Sequence, residues 1–152
     1  MSFKTAFALT ASLAVAGASD PRVLLVGAPG ASYEPLAAAL SRKGISAGQG
    51  PRNHTAVVLL PGADWSLVNS EELPVLAIAG DLDGVSRFSS FAAARHRAVS
   101  SRGKRFAVIE GASHASFAPE LVAGSPALRK VDLRPEIDHA TARDRAATLI
   151  HQ

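Results

Sequence analysis

Four short, unbroken apolar runs mark this chain: residues 23–26 (VLLV), 56–60 (AVVLL), 75–79 (VLAIA) and 106–109 (FAVI). None alternates apolar with polar positions. Unbroken runs of this length suit strands covered on both faces, as in a parallel sheet. Segments with helical spacing lie between and after them. Residues 35–43 begin on a proline and stop before Gly44, with Leu36, Ala39 and Leu40 on one face. Ser86 is placed to cap a helix over 87–99, where Phe88, Phe91, Ala92 and Val99 share a face. Pro135 opens a last helix with Ile137, Ala140, Ala147 and Ile150 on one side. The alternation predicts an α/β protein: a single three-layer domain with a short, mainly parallel sheet of about four strands flanked by helices. Residues 44–55 (GISAGQGPRNHT) show no periodicity and read as a connection.

Length and composition narrow the picture. The 152 residues are enough for one domain with a real core and too few for two. A hydrophobic content of 47% predicts a folded chain rather than a disordered one. The absence of cysteine excludes a thiol nucleophile, a disulfide framework and a cysteine-ligated metal.

Residues 1–18 read as a secretory leader. Lys4 gives a short positive region, residues 6–16 (AFALTASLAVA) are apolar, and Ala16-Gly17-Ala18 fits a small-x-small cleavage site. The competing reading is a buried N-terminal helix. A cleaved leader leaves residues 19–152 as the folded domain, in the secretory-pathway lumen or outside the cell. The apolar run falls short of the roughly 20 residues that span a bilayer, so no membrane span is expected.

The net charge of +3 is mild. Arg87, Arg95, Arg97, Arg102, Lys104 and Arg105 form a basic cluster, but Phe88, Phe91 and Phe106 fall at core spacings rather than as stacking platforms. A solvated helix face and loop is the better reading, and no nucleic-acid partner is expected.

Two loops carry candidate chemistry. In an open parallel sheet, functional loops gather at the carboxyl ends of the strands. Asp83 follows the run 75–79 through Gly80-Asp81-Leu82, and His114 follows 106–109 through Gly111-Ala112-Ser113. Each alone is more often turn chemistry or a surface histidine. Together, in the order acid then base, they suit a pair in which Asp83 accepts the Nδ1–H of His114 and the other ring nitrogen serves as base. Asp81, one residue past Gly80, suits a turn role.

The words AVVLL, PVLAIAGDLDG and FAVIEGASHASFA, followed by a closing amphipathic helix, resemble the C-terminal half of an α/β-hydrolase of the esterase, lipase or dienelactone-hydrolase-like kind. Residues 23–43 (VLLVGAPGASYEPLAAALSRK) resemble that family's early strand, oxyanion loop and first helix. Where the family usually has His-Gly after the strand, this chain has Val26-Gly27. The resemblance implies acyl-transfer chemistry on a small ester-like substrate. Asp83 and His114 would be the acid and base, and the Ala28 backbone N–H an oxyanion donor.

The chain departs from the family at the nucleophile. No G-x-S-x-G motif occurs in it. Gly30-Ala31-Ser32-Tyr33-Glu34 ends on a residue too large for the tight turn, and Gly111-Ala112-Ser113-His114-Ala115 is the histidine loop itself. Without a central nucleophile strand, run 23–26 must pair directly with run 56–60, or the two halves separate. Such a shortened sheet has an exposed edge that would favour a homodimer. The alternatives to a hydrolase are an inactive, hydrolase-derived binding module or the incomplete product of a longer gene. A metal site at Asp81, Asp83 and His114 lacks any supporting H-x-H or H-x-x-x-H spacing, and no nucleotide-binding glycine motif is present, so neither metal nor cofactor is expected.

Overall fold

A computed structural model describes residues 21–49, 53–64, 73–87 and 103–152. The expected leader and most of the helix expected over 87–99 lie outside the described residues. So do Arg95, Arg97 and Arg102 of the basic cluster.

Five strands form one all-parallel sheet: β1 (Arg22–Val26), β2 (Ser46–Gly48), β3 (Ala56–Leu59), β4 (Val75–Gly80) and β5 (Lys104–Ile109). Their order is β2-β1-β3-β4-β5. The fold is α/β, as the apolar runs predict, with one strand more than expected. The extra strand, β2, falls inside the aperiodic stretch 44–55. A three-residue strand at a sheet edge needs only backbone pairing, here Arg22 with Ser46 through Leu24 with Gly48, and no apolar signature. Direct pairing of β1 with β3, Val23 with Ala56 through Val26 with Leu59, is the arrangement expected without a central strand between them.

Helix α1 (Glu34–Ser41) joins β1 to β2. Its end is fixed by Gly44 at φ +77°, where the Gly44 N–H donates to Ser41 O at 3.0 Å and the Ile45 N–H to Leu40 O at 3.0 Å. This paired 5→2 and 6→1 pattern stops a helix and returns the chain towards the sheet. After β5 come a 3₁₀ turn (His114–Ser116), α2 (Pro119–Ala123), α3 (Pro126–Val131) and α4 (His139–His151).

The last helix starts four residues after Pro135, at a cap formed by Asp138, whose carboxylate accepts the Thr141 N–H at 2.7 Å. Residues 136 and 137 are used differently from expectation: the N–H groups of Glu136 and Ile137 both donate to Gly111 O, at 2.9 and 3.2 Å. The buried stripe of α4 is accordingly Ala142, Ala146, Ala147 and Ile150.

The central strands β3 and β4 are buried on both faces, while β1 and β5 are only partly covered. On one face of the sheet, Val23, Leu25, Val58, Leu76 and Ile78 pack with Leu36 and Leu40 of α1 and Ala146 and Ile150 of α4. On the other, Val57, Leu59, Val75, Ala77 and Ala79 form a second cluster. This two-sided burial is the physical origin of the unbroken apolar runs of β3 and β4.

Candidate functional site

The carboxyl ends of β1, β3, β4 and β5 lie along one edge of the sheet, and the strand order reverses between β1 and β3. A reversal of this kind opens a crevice between diverging loops, where α/β sheets place their sites. Asp83 and His114 both reach this edge, from the loops after β4 and β5.

The two side chains meet. His114 Nδ1 stands 2.9 Å from Asp83 Oδ2, with Asp83 4% and His114 1% exposed. The other carboxylate oxygen, Oδ1, accepts the N–H of Val85 at 2.9 Å and of Ser86 at 2.6 Å. A carboxylate offers only acceptors, so a neutral His114 holds its proton on Nδ1 and leaves Nε2 bare. Among the described residues, the hydrogen bond of the ring is made by Nδ1 alone.

Close backbone packing brings the two loops together. A β-carbon on Gly80 would overlap the Ala112 carbonyl, and the Leu82 N–H donates to that same carbonyl at 3.0 Å. Asp81, read as a turn residue, does more: its Oδ1 accepts the Gly111 N–H at 2.8 Å, tying the acid loop to the histidine loop. Gly111 itself sits at φ +79°, where a side chain would be strained.

One residue of the site escapes sequence reasoning. Asp132, just past α3, accepts the N–H of His114 at 3.0 Å and of Gly84 at 3.3 Å on Oδ1, and the N–H of Ala115 at 2.9 Å on Oδ2. It therefore clamps the acid loop and the histidine loop with one carboxylate. Gly84 is needed there because a β-carbon would overlap the Val131 carbonyl.

The other implied site residue, Ala28, is buried at the end of β1, and its N–H donates to the Tyr33 hydroxyl at 2.9 Å. The oxyanion donor implied by resemblance is thus engaged within the protein. Tyr33 lies so close to Gly27 that a β-carbon on Gly27 would overlap the phenol ring. Burial pushes the Tyr33 hydroxyl above its ordinary ionisation range, with the Ala28 N–H working in the opposite direction.

Of the two near-match serines, Ser113 is fully buried at the start of the 3₁₀ turn, where its N–H donates to the Ser116 hydroxyl at 3.0 Å, while Ser32 is exposed and its Oγ lies 3.5 Å from the Glu34 nitrogen. Ser32 borders a cleft of about 30 Å³ with Tyr33, Leu36, Phe117, Glu120 and Arg143, room for little more than one water. Neither this cleft nor the depression beside β2 and His54 is lined by Asp83 or His114.

No group of three or more acidic or histidine side chains suited to a metal occurs among the described residues, and none of the described helices is long and apolar enough to cross a membrane. The fold and site define a small α/β protein with a buried aspartate–histidine pair at the carboxyl edge of its sheet. No family model matches the chain, and neither does any curated protein or solved structure.

Proposed function

We propose that the protein is a scaffold of the α/β-hydrolase type, built for carboxylic-ester (acyl) hydrolysis, that keeps the acid and base of a Ser-His-Asp triad without a serine nucleophile of its own. The observation that carries this reading is the buried 2.9 Å contact between His114 Nδ1 and Asp83 Oδ2. It fixes the ring so that Nε2 is the base.

The chemistry follows from that orientation. A water oxygen attacks the ester carbonyl carbon while its proton passes to His114 Nε2. The bond from that carbon to the alkoxide then breaks, and the departing alkoxide takes the proton from Nε2. Acid and alcohol are released, and Asp83 holds the Nδ1–H throughout. A general base of this kind contributes about 10²-fold or more. Turnover of a short activated ester should therefore fall by roughly 10²-fold in His114→Ala. Equal rates for the two proteins would contradict the reading.

Two observations favour a second reading, a hydrolase-derived module kept for binding. His114 is only 1% exposed, and the Ala28 N–H is held by Tyr33. A module of this kind would show the equal rates that exclude turnover at His114.

A further inference from the structure

The end of β3 meets both loops of the candidate site. After Leu59 the chain turns through Leu60-Pro61-Gly62-Ala63, closed by the Ala63 N–H donating to Leu60 O at 3.1 Å. Gly62 adopts φ +85°, a backbone conformation that residues with side chains rarely take. A β-carbon placed on Gly62 would stand 3.3 Å from His114 Cε1, 3.3 Å from Ala28 Cα and 2.8 Å from the Ala28 methyl group. Cε1 is bonded to both ring nitrogens, and Nδ1 is engaged by Asp83. Nε2 is the nitrogen left, one bond from the Cε1 that this β-carbon would meet.

Three independent features coincide at this point. The position lies on a central strand end, beside the β1–β3 reversal of the sheet. Its backbone has a positive φ, a conformation that glycine adopts far more readily than residues with side chains. It faces the His114 ring, whose Nδ1 is held by Asp83.

We propose that Gly62 is the nucleophile position of this site, kept without a side chain, so that the attacking group comes from outside the chain as water or another small hydroxyl compound. The inference rests on the reading of Asp83 and His114 as an acid–base pair. It adds where the base is aimed. A hydroxyl or thiol installed at Gly62 is consequently activated by His114. The Ala28 methyl group must be removed at the same time, because it crowds the new β-carbon.

The test is the reactivity of a thiol in the double variant Ala28→Gly/Gly62→Cys, the chain's only cysteine. Iodoacetamide alkylation is followed against pH, with and without His114→Ala. The expected result is an inflection well below the ordinary thiol value of about 8.5, and near pH 6 a rate at least about tenfold above that of the variant lacking His114. An ordinary thiol profile, indifferent to His114→Ala in folded protein, overturns the proposal. The unmodified protein gives a second test that needs no variant to fold: a nuclear Overhauser contact between the Gly62 α-protons and the His114 Cε1 proton. Its absence also overturns the proposal. Ester turnover by Ala28→Gly/Gly62→Ser separates the two claims. A His114-dependent thiol in the cysteine variant with no gain in ester turnover for the serine variant leaves Gly62 facing the base and removes the ester-hydrolase reading.

Discussion

Tyr33 concentrates several demands on one hydroxyl. It accepts the Ala28 N–H in buried surroundings, and Gly27 is glycine so that the ring can lie against the backbone. Replacing Tyr33 by Phe keeps the ring and leaves the Ala28 N–H buried without an acceptor. The expected cost is about 1–2 kcal/mol, measured by denaturant unfolding at neutral pH. The same variant carries a pH signature. Burial raises the Tyr33 ionisation above its ordinary value of 10.0 in the folded chain, so the unfolded chain loses the proton first. Stability from the neutral phenol is therefore complete below pH 10.0 and is lost as the pH rises from there through the folded value. The stability gap between wild type and Tyr33→Phe should narrow across that window. A gap that stayed constant would show that the phenol does not ionise with unfolding.

Not every residue of the site was equally legible. Asp83 and His114 stand four and five residues beyond apolar runs, so strand ends alone brought them to one edge. Gly62 also follows such a run, and Pro61-Gly62 is a readable turn signal. Its neighbours Leu60 and Asp64 are not the small residues of a nucleophile motif, so nothing in the sequence tied that turn to His114. Tyr33 gave no signal, because its partner is a backbone N–H.

At the level of elements, Asp132 shows how a short helix acts on a site it does not contain. Helix α3 ends at Val131, and the next carboxylate takes the N–H groups of Gly84, His114 and Ala115. Asp132→Ala removes both oxygens that accept these three hydrogen bonds and should destabilise the fold by about 2–3 kcal/mol. Asp132→Asn retains one carbonyl oxygen and should lose less. Hydrogen exchange gives the specific readout: the amides of His114 and Ala115 should lose protection in Asp132→Ala more than amides in β3 and β4. Uniform loss across the sheet would mean that the carboxylate supports only global stability. Elements α2 and α3 were not legible because five or six residues are too few for a helical period to stand out. Helix α4 starts later than the sequence predicts: Pro135 is a good first helical residue, but the Gly111 carbonyl draws residues 136 and 137 into a turn before the Asp138 cap.

For the molecule as a whole, the parallel sheet acts as a frame that delivers four loops to one edge. Its rigidity comes from two apolar clusters, one on each face. Leu40, Ile78 and Ile150 are fully buried on the helix-covered side, as are Val58 and Leu60. This level was the most legible, because burial on both faces writes itself into the sequence as unbroken apolar runs. The strand that went unread, β2, pairs through its backbone at an edge where side-chain pattern carries little information.

The proposed chemistry requires that Asp83 hold the His114 ring so that Nε2 is its base. The most direct measurement is nitrogen-resolved NMR of the His114 ring in the neutral state, in wild type and in Asp83→Asn. The account predicts a proton on Nδ1 and a bare Nε2 in wild type, with the Nδ1–H resonance displaced when the carboxylate becomes an amide. A proton on Nε2 in the wild-type protein, or a ring indifferent to Asp83→Asn, would contradict it.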